Sequence, residues 1–363
     1  MATRRGFVSG LLAAGLMPRP TWADAGSPAY LAAALRDDDS YWLIGLSAAG
    51  QERFRLPLPE RGHAAAAHPL RPDAVAFARR PGTFALIIDC RDGTVRAELR
   101  SPPGRHFYGH GAYAADGTLL LTTENDYDAV RGVIGVWDVA AGYLRVGEFA
   151  SGGIGPHEIA RLPDGGFAIA NGGIETHPDS DREILNRDTM APRLTYAEAT
   201  GHLPESVALP QELHQHSIRH LSVRGDGLVA FAMQWQGDAS VTPPLLGLHR
   251  RGEAVRLVKA PPAEHARMQN YAGSVSFSGD GELVAITSPK GGLAQVFEVE
   301  TGDWIGSYDS ADLCGVAAAA EGFCVTTGTG AATGLAGATP LWTAREKRLA
   351  FDNHLVRIGP IPA

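Results

Sequence analysis

Short apolar runs, each introduced by an acidic residue and a glycine, recur along the chain. Ala115-Asp116-Gly117 precedes Thr118–Thr122, Pro163-Asp164-Gly165-Gly166 precedes Phe167–Ala170, and Gly225-Asp226-Gly227 precedes Leu228–Ala232. Gly279-Asp280-Gly281 precedes Glu282–Ile286, and Ala320-Glu321-Gly322 precedes Phe323–Thr326. An acidic residue and glycine between apolar runs predict a hairpin, because glycine takes positive φ without steric cost. A second set of hairpins alternates with the first. Its turns are Ala49-Gly50, Asp92-Gly93, Ala141-Gly142, Arg251-Gly252 and Thr301-Gly302. Four strands over roughly 40–50 residues are the unit of a β-propeller blade, and the chain has length for about seven. The pattern therefore predicts an all-β fold: a single seven-bladed β-propeller. The polar stretch Gly172–Met190 predicts a long inserted loop between the second and third strands of blade four. A β-sandwich with coincidental spacing is the competing architecture.

The 363 residues are 44% hydrophobic and 20% charged, which suits a globular core and excludes general disorder. A formal charge of −8 argues against nucleic acid as a partner. Thr3-Arg4-Arg5-Gly6-Phe7-Val8 has the form of a twin-arginine export signal, and Ala23-Asp24-Ala25 fits a small-x-small cleavage site. The expected organisation is a signal peptide over 1–25 and a propeller over 26–363, located in the periplasm. The apolar run Phe7–Met17 is too short to span a membrane, and no other candidate follows. Cys90, Cys314 and Cys324 form no CxxC and are expected to be buried thiols.

The repeat also locates histidines. Counting back six residues from each acidic turn residue gives His110 from Asp116, Glu158 beside His157 from Asp164, and His220 from Asp226. The corresponding place near Asp73 is Ala67, beside His68. Strand starts at one rim of a pseudo-symmetric channel thus carry imidazoles and a carboxylate. His106, His177 and His216 are expected in loops at the same rim. The second strands end there in Glu124-Asn125-Asp126 and Asn171. Imidazole and carboxylate together suit a divalent transition metal such as Fe, Cu or Zn. The expected metal residues are His110, His157, His220, Glu158, Glu124, His106 and His177. Asn125, Asp126, Asn171, Arg182 and Arg219 are expected at the rim or on the loop, where Arg182 suits an anionic ligand. No HExxH, GxSxG, Walker A or Rossmann fingerprint is present, so the sequence gives no direct sign of an enzyme.

Several stretches resemble a family of exported bacterial proteins, the DUF1513 domain of unknown function. They include Gly104–Gly111, Thr123–Asp126, Gly155–Glu158, Ala170–Ile174, Leu213–Gln215, Ser217–Leu221 and Tyr271–Ser274. The resemblance implies a WD40/YVTN-like propeller, export, and an association with periplasmic iron-uptake partners, including imelysin-like proteins. His216 stands where such proteins would carry an apolar residue, which sets it apart from the site. Three functions remain open. One is a metal-binding propeller serving iron or copper handling. Another is a metal-free interaction scaffold anchored by Trp42, Trp137, Trp235, Trp304 and Tyr127. The last is a calcium-dependent lactonase-like hydrolase using Glu124, Asn171 and Asp126.

Overall fold

In the computed structural model, residues 20–79, 82–180 and 183–359 are described, and among them lie seven four-stranded antiparallel sheets. The predicted turns are where the chain reverses. Gly117, Gly165, Gly227, Gly281 and Gly322 have φ between 71° and 116°, and Gly50, Gly93, Gly142, Gly252 and Gly302 between 71° and 80°. The acidic residue supplies the second half of the device. Asp116, Asp164, Asp226 and Asp280 each accept, through Oδ1, the backbone N–H two residues on, at 3.0–3.2 Å. This side-chain bond mimics a backbone turn and fixes the hairpin register.

The innermost strands of blades one to seven are Leu349–Arg357, Gly62–Ala67, Arg105–Tyr113, Pro156–Arg161, His216–Val223, Ser274–Phe277 and Leu313–Ala319. Each packs on the next, so they line a closed ring. Blade one is composite. Leu349–Arg357 pairs with Tyr30–Arg36 from the other end of the fold, with Tyr30 opposite Arg357 and Arg36 opposite Leu349. The second strands are buried on both faces, as in Phe167–Asn171, because neighbouring blades stack against them. The core therefore lies between blades: Phe277, Ile286 and Phe297 of blade six pack with Ala230, Leu246 and Leu248 of blade five. Outer strands such as Leu144–Ala150 are largely exposed.

One irregularity recurs around the ring. In six of the seven blades the pairing of the innermost strand with its neighbour slips at one level. The slips fall at residues 352–354, 63–64, 108–110, 157, 219 and 314–315 in blades one, two, three, four, five and seven. A bulge leaves a residue out of the ladder and re-aims side chains. In blades one to five, residues at or beside the slip line the channel cavities, among them His354, His63, His110, His157 and Arg219.

In blade four the second strand ends at Asn171 and the third begins at Arg193. Between them run residues 172–192, with short 3-10 turns at Pro178–Ser180 and Arg187–Thr189. Most of the expected export signal, residues 1–19, lies outside the described residues, as does Arg182. Trp22–Ala25 forms a 3-10 turn, and Trp22 Nε1 donates to the His68 carbonyl at 2.9 Å. No helix among the described residues is long and apolar enough to cross a membrane. Cys90, Cys314 and Cys324 are buried free thiols, and Cys324 stands opposite Ala317 rather than Cys314.

Candidate metal centre

Five imidazoles meet in the channel: His354, His63, His110, His157 and His220, from blades one to five in order around the ring. Each sits at or beside the slip in its strand. Ring centroids of His110 lie 5.0 Å from His63, 5.0 Å from His157, 4.7 Å from His354 and 5.9 Å from His220. His157–His220, His220–His354 and His63–His354 are 4.7, 4.7 and 4.6 Å apart. Gly109 allows this approach. Its φ is 93°, and a Cβ there would come within 2.5 Å of the His63 ring.

Two triads have donor atoms within 4.8 Å of one another: His63–His110–His157 and His110–His220–His354. His110 belongs to both. Metal–nitrogen bonds of about 2.0–2.1 Å place the ligand nitrogens of a tetrahedral ion about 3.3 Å apart, so each triad would have to close by up to about 1.5 Å to share one ion. The second triad has a carboxylate beside it. Glu158 Oε2 is 3.1 Å from His220 Nδ1 and also accepts the Leu221 N–H at 3.2 Å, while Oε1 lies 4.0 Å from His110 Nδ1.

Burial holds four of the imidazoles, those of His110, His157, His220 and His354, in the neutral form that binds metals. It pushes His220 and His354 down to about 3, helped by Arg219 for His220 and by His220 for His354. His110 and His157 are likewise held well below the ordinary histidine range, first by burial, then by neighbouring imidazoles or Arg219. Burial raises Glu158 to about 7 against the attraction of His354. Its side chain keeps 21% of its area open, facing the smaller of the two channel cavities, whose lining it shares with His110, His220 and His354. Three ring nitrogens, His110 Nε2, His157 Nδ1 and His354 Nε2, are buried without a hydrogen-bond partner. A buried polar atom left unmade costs about 1–3 kcal/mol, and a metal ion would satisfy several at once.

The cluster divides the channel into two cavities. One, of about 290 Å³, is lined by Glu158, His110, His220 and His354. The other, of about 410 Å³, is floored by His63, His157 and His220.

Of the residues expected from sequence, His110, His157, His220 and Glu158 come together here. The others do not join them. Glu124 is fully buried inside blade three, where Arg145 grips both carboxylate oxygens at 2.6 and 3.0 Å beneath the Trp137 ring. His106 lies in a strand rather than a loop. Its Nδ1 meets the Phe107 carbonyl at 2.9 Å and its Nε2 meets Asn125 Nδ2 at 3.1 Å, so both nitrogens are engaged. His177 packs edge-on to Tyr127 at 5.0 Å, and Tyr127 stacks on His106 at 6.1 Å. Asp126 takes the Arg131 guanidinium at 2.8 Å. Asn171 is fully satisfied by Ser151 and Thr195. Asn125 also bonds the Thr176 carbonyl at 3.2 Å. Arg219 does reach the larger cavity. His216 begins its strand and bonds the Pro244 carbonyl.

Sequence counting missed His63 and His354. In blade two, Asp73 is the first residue of the second strand, not the turn residue, so counting from it lands too far along. His68, found that way, builds the turn instead. Its Nδ1 accepts the Leu70 and Arg71 N–H groups at 3.1 and 3.0 Å, and its Nε2 faces the Gly117 carbonyl. His354 escaped because the inner strand of blade one comes from the far end of the chain. Of the aromatic anchors, Trp137 is buried and Trp42, Trp235, Trp304 and Tyr127 are only partly exposed.

Fold and site together define a seven-bladed propeller with a buried polyhistidine cluster across its channel, able to hold a metal ion. Residues 56–358 match the family described as "Protein of unknown function (DUF1513)", and the chain belongs to that family. No curated protein matches it.

Proposed function

We propose that this is a periplasmic metal-binding propeller that holds a divalent transition ion, Fe, Cu or Zn, within the channel cluster. His110, His157, His220 and Glu158 are the ligands read from sequence, and His63 and His354 join them. The supporting observation is the set of buried, unpartnered nitrogens on His110, His157 and His354, in rings of which the last two lie 5.0 and 4.7 Å from that of His110. Imidazoles held neutral suit zinc, copper or iron, whereas a calcium site would draw mainly on oxygen donors. The twin-arginine-like leader supports export. On this reading, the partners are periplasmic iron-uptake proteins of the imelysin-like kind. We take the insertion Gly172–Met190 to be a lid over the channel mouth, a reading supported by Ile174, Thr176 and Ile184, which wall the larger cavity.

Elemental analysis of the exported, folded protein tests this. About one equivalent of Fe, Cu or Zn is expected, lost in the double variant His110→Ala/His157→Ala while far-ultraviolet dichroism is retained. Calcium instead would favour hydrolase chemistry. A metal-free protein that takes up none of the three ions would leave the scaffold reading.

A further inference from the structure

The two cavities flanking the cluster differ in charge. Arg79, Arg219 and Lys290 all line the larger one, and no aspartate or glutamate does so among the described residues. Arg79 has an acidic neighbour outside the lining, Asp352, at 3.5 Å. Arg219 occupies the slip of its strand, next to His220, and so is delivered to the channel by the same bulge. Lys290 is exposed, with its ammonium 4.6 Å above the Tyr271 ring. Three cations from blades two, five and six thus converge on one chamber in a protein whose overall charge is −8.

Polar neutral groups complete the lining. Gln234, Gln236 and Asn353 offer amides, and Tyr108 and Tyr271 offer phenols. A volume of about 410 Å³ falls within the range of small-molecule sites, roughly 300–1,000 Å³. It is larger than one phosphate needs. Guanidinium groups favour carboxylates through paired N–H donors, and amides favour the further oxygens of a larger ligand.

We infer that this chamber binds a small organic polycarboxylate, a di- or tricarboxylic acid. Arg79, Arg219 and Lys290 take its carboxylates, and the imidazole floor of His63 and His157 lies beneath it. The inference deepens the metal reading, since a carboxylate oxygen at that floor can complete the coordination of an ion held by the cluster. The three cations act whether or not an ion is present.

The test is calorimetric titration of succinate, tricarballylate and inorganic phosphate into metal-free and zinc-loaded protein, with zinc content measured separately. Tricarballylate is expected to bind both forms, tighter with zinc, and to weaken steeply with added salt. Lys290→Gln and Arg219→Gln should each raise its Kd at least tenfold, with Lys290→Gln leaving zinc content unchanged. Should Arg219→Gln fail to fold, Lys290→Gln alone decides. Absence of binding of both succinate and tricarballylate to either form, unchanged affinity of the acid that binds in Lys290→Gln, or binding of phosphate alone would overturn the inference. A protein that binds tricarballylate but no zinc would refute the metal reading and leave the polycarboxylate site standing.

Discussion

The buried cluster makes the metal-free protein sensitive to acid in a way that one substitution can isolate. His220 and His354 are held down to about 3 in the folded chain, against an unfolded value of 6.5. A depressed histidine contributes its full stability above 6.5 and loses it as pH falls towards the folded value. Between pH 7 and pH 4 the unfolded chain gains a proton at each that the folded chain refuses, a loss of about 3 kcal/mol per imidazole. Glu158 acts in the opposite sense. Raised to about 7 from 4.5, it is protonated in the fold first and offsets about 3 kcal/mol over the same interval. His110 and His157 deepen the loss, since they too are held low. In His354→Leu one of these terms vanishes, while a side chain of similar bulk fills the space. Urea unfolding followed by tryptophan fluorescence, on chelator-treated protein at pH 7 and pH 4, gives the comparison. The variant should lose about 3 kcal/mol less than the parent between the two pH values. Equal losses, within about 0.5 kcal/mol, would show that His354 is not buried neutral and would refute this account of the cluster.

Other outcomes follow from individual contacts. Gly109→Ala places a Cβ 2.5 Å from the His63 ring at a φ of 93°, so it should destabilise the fold by about 1–3 kcal/mol and weaken metal uptake, read by thermal melting and zinc titration. Arg145→Ala leaves Glu124 buried without its main partner. It should cost about 3–5 kcal/mol in urea unfolding and leave metal stoichiometry unchanged, because Glu124 lies outside the cluster. Replacing residues 175–186 by a short Gly/Ser linker should leave the melting transition of the blades in place and change polycarboxylate binding at the larger cavity. Unaltered binding would show that the segment has no part in the chamber.

The repeat was legible because it is written in local chemistry. An acidic residue and a glycine specify each hairpin without reference to the rest of the molecule, and the turns at Gly117, Gly165, Gly227 and Gly281 are built as the spacing predicts. His110, His157, His220 and Glu158 could be found because each lies at a fixed distance from such a turn. What lay beyond reach was non-local. His354 joins the ring only through a strand pairing between opposite ends of the fold. His63 was hidden by a turn, after Ala67, that does not follow the acidic-glycine pattern. Glu124 was misjudged for a different reason. Alternation along its strand sends it into the blade, over Gly135 and towards Arg145, and the spacing of turns carries no information about which face a strand-end residue takes.

The composite blade gives the site a further property. The strand that seals the ring, Leu349–Arg357, is also the one that carries His354. Peeling that strand from Tyr30–Arg36 opens the seam inside blade one and, in the same motion, takes His354 out of one of the two triads. Affinity at the cluster therefore reports on the integrity of the whole ring. A nick or a fraying event at the seam registers as lost binding, whereas disturbance of an outer strand such as Leu144–Ala150, which bears no imidazole, stays silent. By the same linkage an ion held there would latch the seam, since whatever binds only the closed form raises the work of opening it.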